Sequence, residues 1–279
     1  YRGLGFEALT QFDSAHATYE AGRSAEISRG QRRELEGRLT LLARTRLAAE
    51  IRQALAREST LADVPPPPNT IAVLPWVYSG SNPEYRALER GIAHLVVSDL
   101  AKVSRIRLLE RERVQALVDE LALSGQGRID ESTAARSGHL LGAAHVLQGS
   151  IREAGGNGVM ELQARVVNTT SAKVDATGQA TDRLQQLFAM EKAIVFQVLD
   201  QLGIEPTPAE RRAISERPTA DLQAFLAFSR GLEAQDRGDA SSASSFFNSA
   251  AVRDPGFRAA RDRAATAEGA ARAADAAPR

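Results

Sequence analysis

Any chemistry in this chain must come from imidazole, carboxylate, amine or hydroxyl groups, because cysteine is absent. Its absence removes disulfides, thiolate metal sites and thiol nucleophiles. Four histidines remain: His16, His94, His139 and His145. No two of them have the His-x-x-x-His spacing that puts a pair of ligands on one helix face, so they read as structural or surface histidines. Two stretches are glycine-rich, Ser124-Gly125-Gln126-Gly127 and Gly155-Gly156-Asn157-Gly158. A phosphate loop needs a strand before it and a Lys-Ser/Thr at the start of a helix after it. Neither stretch has these, and both read as turns. The carboxylates of Glu110-Arg111-Glu112-Arg113 fall where a strand enters a helix. Acid–base work needs a paired partner and a cleft. The plainer reading is that Glu110 and Glu112 favour the positive end of the helix dipole while the arginines are solvated or pair locally. The sharper reading makes Glu110, Arg111 and Arg113 a subunit contact. Asn168-Thr169-Thr170 has the form of a glycosylation acceptor, but a short hairpin turn accounts for it more simply.

Aromatics are the other candidates. Trp76, Tyr78 and Tyr85 gather after an apolar run, where they form either a partner hot spot or a lid on a sheet edge. Aromatic burial preference favours the interior for Trp76. Phe228 and Phe247 lie in a later helical stretch. The candidate partner-binding residues are therefore Trp76, Tyr78, Tyr85, Glu110, Arg111, Arg113, Phe228 and Phe247. No residue set points to catalysis, a metal or a cofactor, and the expectation is a protein that is not an enzyme.

The composition agrees with a binding role. Lys+Arg and Asp+Glu both number 35 and the pI is about 7.1, so bulk charge favours neither nucleic acid nor an anionic membrane. A hydrophobic fraction of 43% permits real cores. Only three residues are lysine, Lys102, Lys173 and Lys192; the arginine excess reads as a GC-rich genome. No apolar run approaches the ~20 residues of a membrane helix. The first residues read as the inside of a helix, which leaves a targeting segment or lipid anchor beyond this chain as an expectation.

The elements that must position these residues follow from periodicity. Residues 1–62 read as helical, with Gly3, Phe6, Ala15, Tyr19 and Gly22 at helix-crossing spacings. Then comes one long helix with Leu35, Leu39, Leu42, Leu47, Ile51 and Leu55 as its stripe, weakened by Gly30 and Gly37. Pro65-Pro66-Pro67-Pro68 sits in a linker, 63–69, that no helix crosses. Between 70 and 204 the periods alternate. Ile71–Leu74 reads as a strand buried on both faces, and Ile106–Leu109 as a second. Helices carry Leu88, Ile92, Leu95, Val96, Leu100 and Val103, then Val114, Leu117, Val118 and Leu121. A short helix capped by Asp130 or Ser132 stops at Gly142. Ala144–Glu153, Val159–Val167 and Lys173–Gln179 read as strands. In the second of these, Met160, Leu162, Ala164 and Val166 oppose Glu161, Gln163 and Arg165, giving one dry and one wet face. A helix over 183–202 closes the domain. In 205–279, Gly231, Gly238, Ala243, Phe247, Ala250 and Pro255 fall at the spacings of a tetratricopeptide repeat.

Residues 70–203 resemble the CsgG-like domain. The stretch 108–151, LLERERVQALVDELALSGQGRIDESTAARSGHLLGAAHVLQGSI, carries most of the resemblance. It also resembles the TolB-amino-terminal-like domains that stand beside tetratricopeptide repeats in regulators of the adenylate-cyclase type. The resemblance implies a mixed α/β (α+β) fold: a central mixed-sheet domain with helices, flanked by all-α repeat-like segments. It also implies a place at the periphery of a bacterial outer membrane or in the periplasm, protein partners, and homo-oligomer or larger-complex assembly. A secretion-channel component and a regulatory sensor are the alternatives. The expectation is against a pore: the turns near Gly156 and Thr170 are tight, and residues 145–180 hold no aromatic for a membrane girdle.

Overall fold

The computed structural model describes residues 2–9, 11–58, 65–121, 129–155 and 158–275. Gly156 and Asn157, where a turn was expected, and the Ser124–Gly127 stretch lie outside the described residues, as does Tyr1. The chain forms two compact units, one of residues 50–220 and one of residues 1–49 with 221–279.

The first unit is a mixed α/β domain. Its six strands are β1 (Thr70–Val73), β2 (Val77–Ser79), β3 (Arg107–Leu108), β4 (His145–Glu153), β5 (Val159–Asn168) and β6 (Val174–Arg183). They line up as β3-β1-β4-β5-β6, with β2 continuing beyond β1 along the same edge of β4. Strand β1 pairs in parallel with β3 and β4, β2 pairs in parallel with β4, and β4-β5-β6 is an antiparallel meander. Strand β1 is buried at every position, as its unbroken apolar run predicts. Strand β2 was not expected. Pro75 lacks a ladder N–H, and Trp76 sends its own N–H to the Glu89 carbonyl at 3.1 Å, so the run is cut and a three-residue strand restarts after it.

Helices numbered along the chain cover the sheet: α4 (Leu88–Leu100), α5 (Arg111–Glu120), α6 (Glu131–Leu141) and α7 (Leu187–Gln201), while α8 (Pro208–Ser215) packs on α4. Their predecessors are α1 (Arg2–Ala8), α2 (Phe12–Arg23) and α3 (Arg29–Ala56). One sheet face aligns Leu147, Gly149 and Ile151 with Val166, Ala164 and Leu162 and then with Ala176, Gly178 and Ala180. Helix α7 lies on β5 and β6, and α4 packs against α7. On the other face, Ala72, Val146 and Val167 join Val114, Leu117 and Val118 of α5, Ala134, Leu140 and Leu141 of α6, and Ile51. Each fully buried aliphatic side chain there stabilises the fold by about 1.5–3 kcal/mol. Asp130 caps α6 by accepting from the Thr133 N–H at 2.7 Å, and Gly142 ends it at φ 71°, where a side chain would be strained.

Two boundaries move. The last strand runs on to Arg183 because residues 180–183 keep pairing with 159–162, which delays the closing helix to Leu187. Residues 205–220, expected with the C-terminal helices, belong to the α/β unit. There Glu210 accepts from the Ser104 N–H at 2.8 Å, Lys102 donates to the Ala213 carbonyl at 2.8 Å, and the Arg211 guanidinium lies 4.9 Å over the Phe196 ring.

The second unit is all-helical. It holds α1, α2 and most of α3, together with α9 (Leu222–Asp236), α10 (Ala240–Arg253) and α11 (Arg258–Asp275). Ala15, Tyr19, Leu39 and Leu42 form one core. In the other, the Phe228 ring lies 5.4 Å from Phe247, 4.8 Å from Phe257 and 6.4 Å from Phe225. A Cβ at Gly231 would overlap the Phe247 ring. Gly37, expected only to weaken its helix, is where α3 touches the backbone of α11 at Gly269.

Candidate functional site

The sheet face that carries Val146 and Val167 turns polar along its length. Beyond these residues come Gln148, Ser150 and Arg152 of β4, Arg165, Gln163 and Glu161 of β5, and Thr177, Gln179 and Thr181 of β6. Strict alternation puts them all on this side. They are fixed to one another. The Glu161 carboxylate accepts from the Arg152 guanidinium, from Gln163 Nε2 at 2.6 Å and from Gln179 Nε2 at 2.9 Å. Arg165 pairs with Glu131 at the start of α6. Gln148 is 3% exposed, and among the described residues its Nε2 has no hydrogen-bond partner. The result is a pre-ordered polar half-face with long side chains already held in place.

At the end of the same sheet, Tyr78 donates its hydroxyl proton to Glu153. Ser81 Oγ donates to that carboxylate at 3.1 Å, and the Asn82 N–H at 3.3 Å. The Tyr78 contact, followed by the Asn82 N–H, holds the Glu153 carboxyl below its ordinary range. Burial, then the Glu153 contact, pushes the Tyr78 hydroxyl up to about 12. These bonds clip the loop after β2 onto the end of β4.

A second cluster lies between α4 and α7. Asp99, 2% exposed, pairs with Lys192 through Oδ2 and with Lys102 through Oδ1 at 2.8 Å. Glu191 is fully buried, with Oε2 3.2 Å from Lys192 Nζ. Two of the chain's three lysines thus meet one aspartate. Sequence reasoning missed this cluster, although a signal was present: Asp99 and Glu191 each fall at an i, i+3/i+4 position of an otherwise apolar stripe. Burial, and next the negative charge of Asp99, pushes the Glu191 carboxyl up to about 8. The folded state therefore holds a proton that the unfolded chain releases above its ordinary value of 4.5. The stability this contributes is complete below that value and is lost as pH rises toward about 8. Glu191→Gln is expected to flatten that slope and to raise the melting temperature relative to the parent at the alkaline end. Thermal unfolding followed across this window checks it; parallel pH profiles would refute it.

With this geometry established, comparison with known proteins gives a partial match. Residues 69–157 match the family model described as "Curli production assembly/transport component CsgG". A Rhizobium meliloti (strain 1021) protein that carries the name adenylate cyclase 3 is 26% identical over 176 residues, 61% of this chain. The chain spans 28% of that relative's length. Among solved structures, the LpoB C-terminal domain from Salmonella enterica is similar at 17% identity and a TM-score of 0.32, over 49% of this chain and 95% of that one. Escherichia coli LpoB gives 17% and 0.34, over 45% and 63%. A lipoprotein from Neisseria meningitidis gives 16% and 0.33, over 42% and 81%.

The matched CsgG-like segment contains β1 to β4, and most of the residues singled out from sequence fall in or beside it. Trp76 lies in the interior, as its burial preference favoured, and drops out of the partner candidates: it is 1% exposed, its ring lying where a Cβ on Gly149 would be. Phe228 and Phe247 are a correction, both fully buried in the helical unit. A large ring stabilises most where all of it leaves water, and these three offer no surface to a partner. Tyr78 of β2 and Tyr85 of the loop that follows it meet edge to face at 6.4 Å and are half-buried. Glu110 is exposed at the N-terminal boundary of α5 and makes no side-chain cap there. Arg111 lies 3.7 Å from Glu112, and Arg113 lies 4.0 Å from Glu50. Tyr78 and Glu110 belong to the α/β unit and Phe228 and Phe247 to the helical unit. Among the described residues, no three His, Asp or Glu side chains are grouped to hold a metal.

Proposed function

We propose that this chain is a non-catalytic docking component of a bacterial envelope assembly, acting at the periplasmic side of the outer membrane. In this reading the CsgG-like domain meets a partner protein on the polar half-face of β4, β5 and β6. The observation that carries the reading is the Glu161 carboxylate, which holds Arg152, Gln163 and Gln179 in fixed positions on the wet side of the sheet. Such a surface suits recognition by hydrogen bonds at modest affinity. The family model, whose description names assembly and transport, supports the setting. The helical unit, as tetratricopeptide-like hairpins, would present a second face to a protein segment.

A photo-cross-linking residue at Gln163 or at Thr181, in the native host, tests the surface. Expected are discrete protein adducts from both positions, lost when Ser150→Arg crowds the same face. A residue at exposed Ala193 on α7 should give none. Equal adducts from Ala193, or none from either test position, would remove this surface from consideration.

A second reading has its own observation. The relative named as an adenylate cyclase shares only part of its length with this chain, so the shared part would be a regulatory module that controls a separate effector. Consistent thermal stabilisation by one class of small molecule would favour it.

A further inference from the structure

We draw no further inference here: the strongest candidate, the outer edge of β6, where Gln197 of α7 bonds the Gln179 N–H and carbonyl and Gln201 bonds those of Thr177, carries nothing because nothing in the structure shows what would pair with it.

Discussion

Asp99→Ala is expected to lower the unfolding free energy of the α/β unit by about 3–5 kcal/mol, the usual cost of removing one partner from a buried ion pair. The aspartate carboxylate is the common acceptor for Lys192 and Lys102. Without it, Lys192, 9% exposed, is left with Glu191 as its acidic neighbour, 3.2 Å away. Lys102 is less affected, since it lies nearer solvent and keeps the Ala213 carbonyl. The penalty comes from stranding a charge rather than from losing a strong bond, so a second substitution should reverse much of it. Asp99→Leu/Lys192→Met replaces the pair with apolar groups of similar volume and is expected to recover most of the lost stability. Denaturant unfolding followed by tryptophan fluorescence reads this unit cleanly, because Trp76 is the single tryptophan and is packed on its sheet. A double variant no more stable than Asp99→Ala would show that the cluster contributes through geometry that apolar groups cannot replace.

That cluster also shows where sequence reasoning stopped. Periodicity made the meander legible: Met160, Leu162, Ala164 and Val166 alternate with Glu161, Gln163 and Arg165, and the register puts the first set under α7 and the second on the polar face. The Asp130 and Gly142 helix boundaries were legible because capping and left-handed backbone are local chemistry. Strand β2 was not, because three residues, Val77–Ser79, are held by β4 partners about seventy positions away. The meeting of Asp99 with Lys192 spans 93 positions, and only the charges on apolar stripes hinted at it. The Gln197–Gln179 and Gln201–Thr177 contacts left no hint, since exposed glutamines on a helix are unremarkable until a strand edge lies beneath them. Local rules therefore recovered the scaffold, and the candidate sites depended on contacts between distant segments.

Phe228→Ala is expected to destabilise the helical unit by about 3–5 kcal/mol, with no change in any partner contact that survives in the folded fraction. Sequence spacing put Phe247 in the gap between two helices, yet Phe228 and Phe247 also stood among the candidate partner contacts. An exposed anchor, when truncated, weakens binding and leaves unfolding unchanged. A buried one does the reverse. The Phe228 ring touches three other phenylalanines, and its removal leaves a cavity that the crossing of α9 and α10 at Gly231 cannot easily collapse, because Phe247 already fills that approach. Phe247→Ala should cost a similar amount. Since the two rings lie 5.4 Å apart, the double variant should cost less than the two single losses added together. Thermal unfolding by far-UV circular dichroism, with hydrogen exchange in α9–α11, measures all three. Stability equal to the parent in either single variant would return these rings to the role of surface contacts.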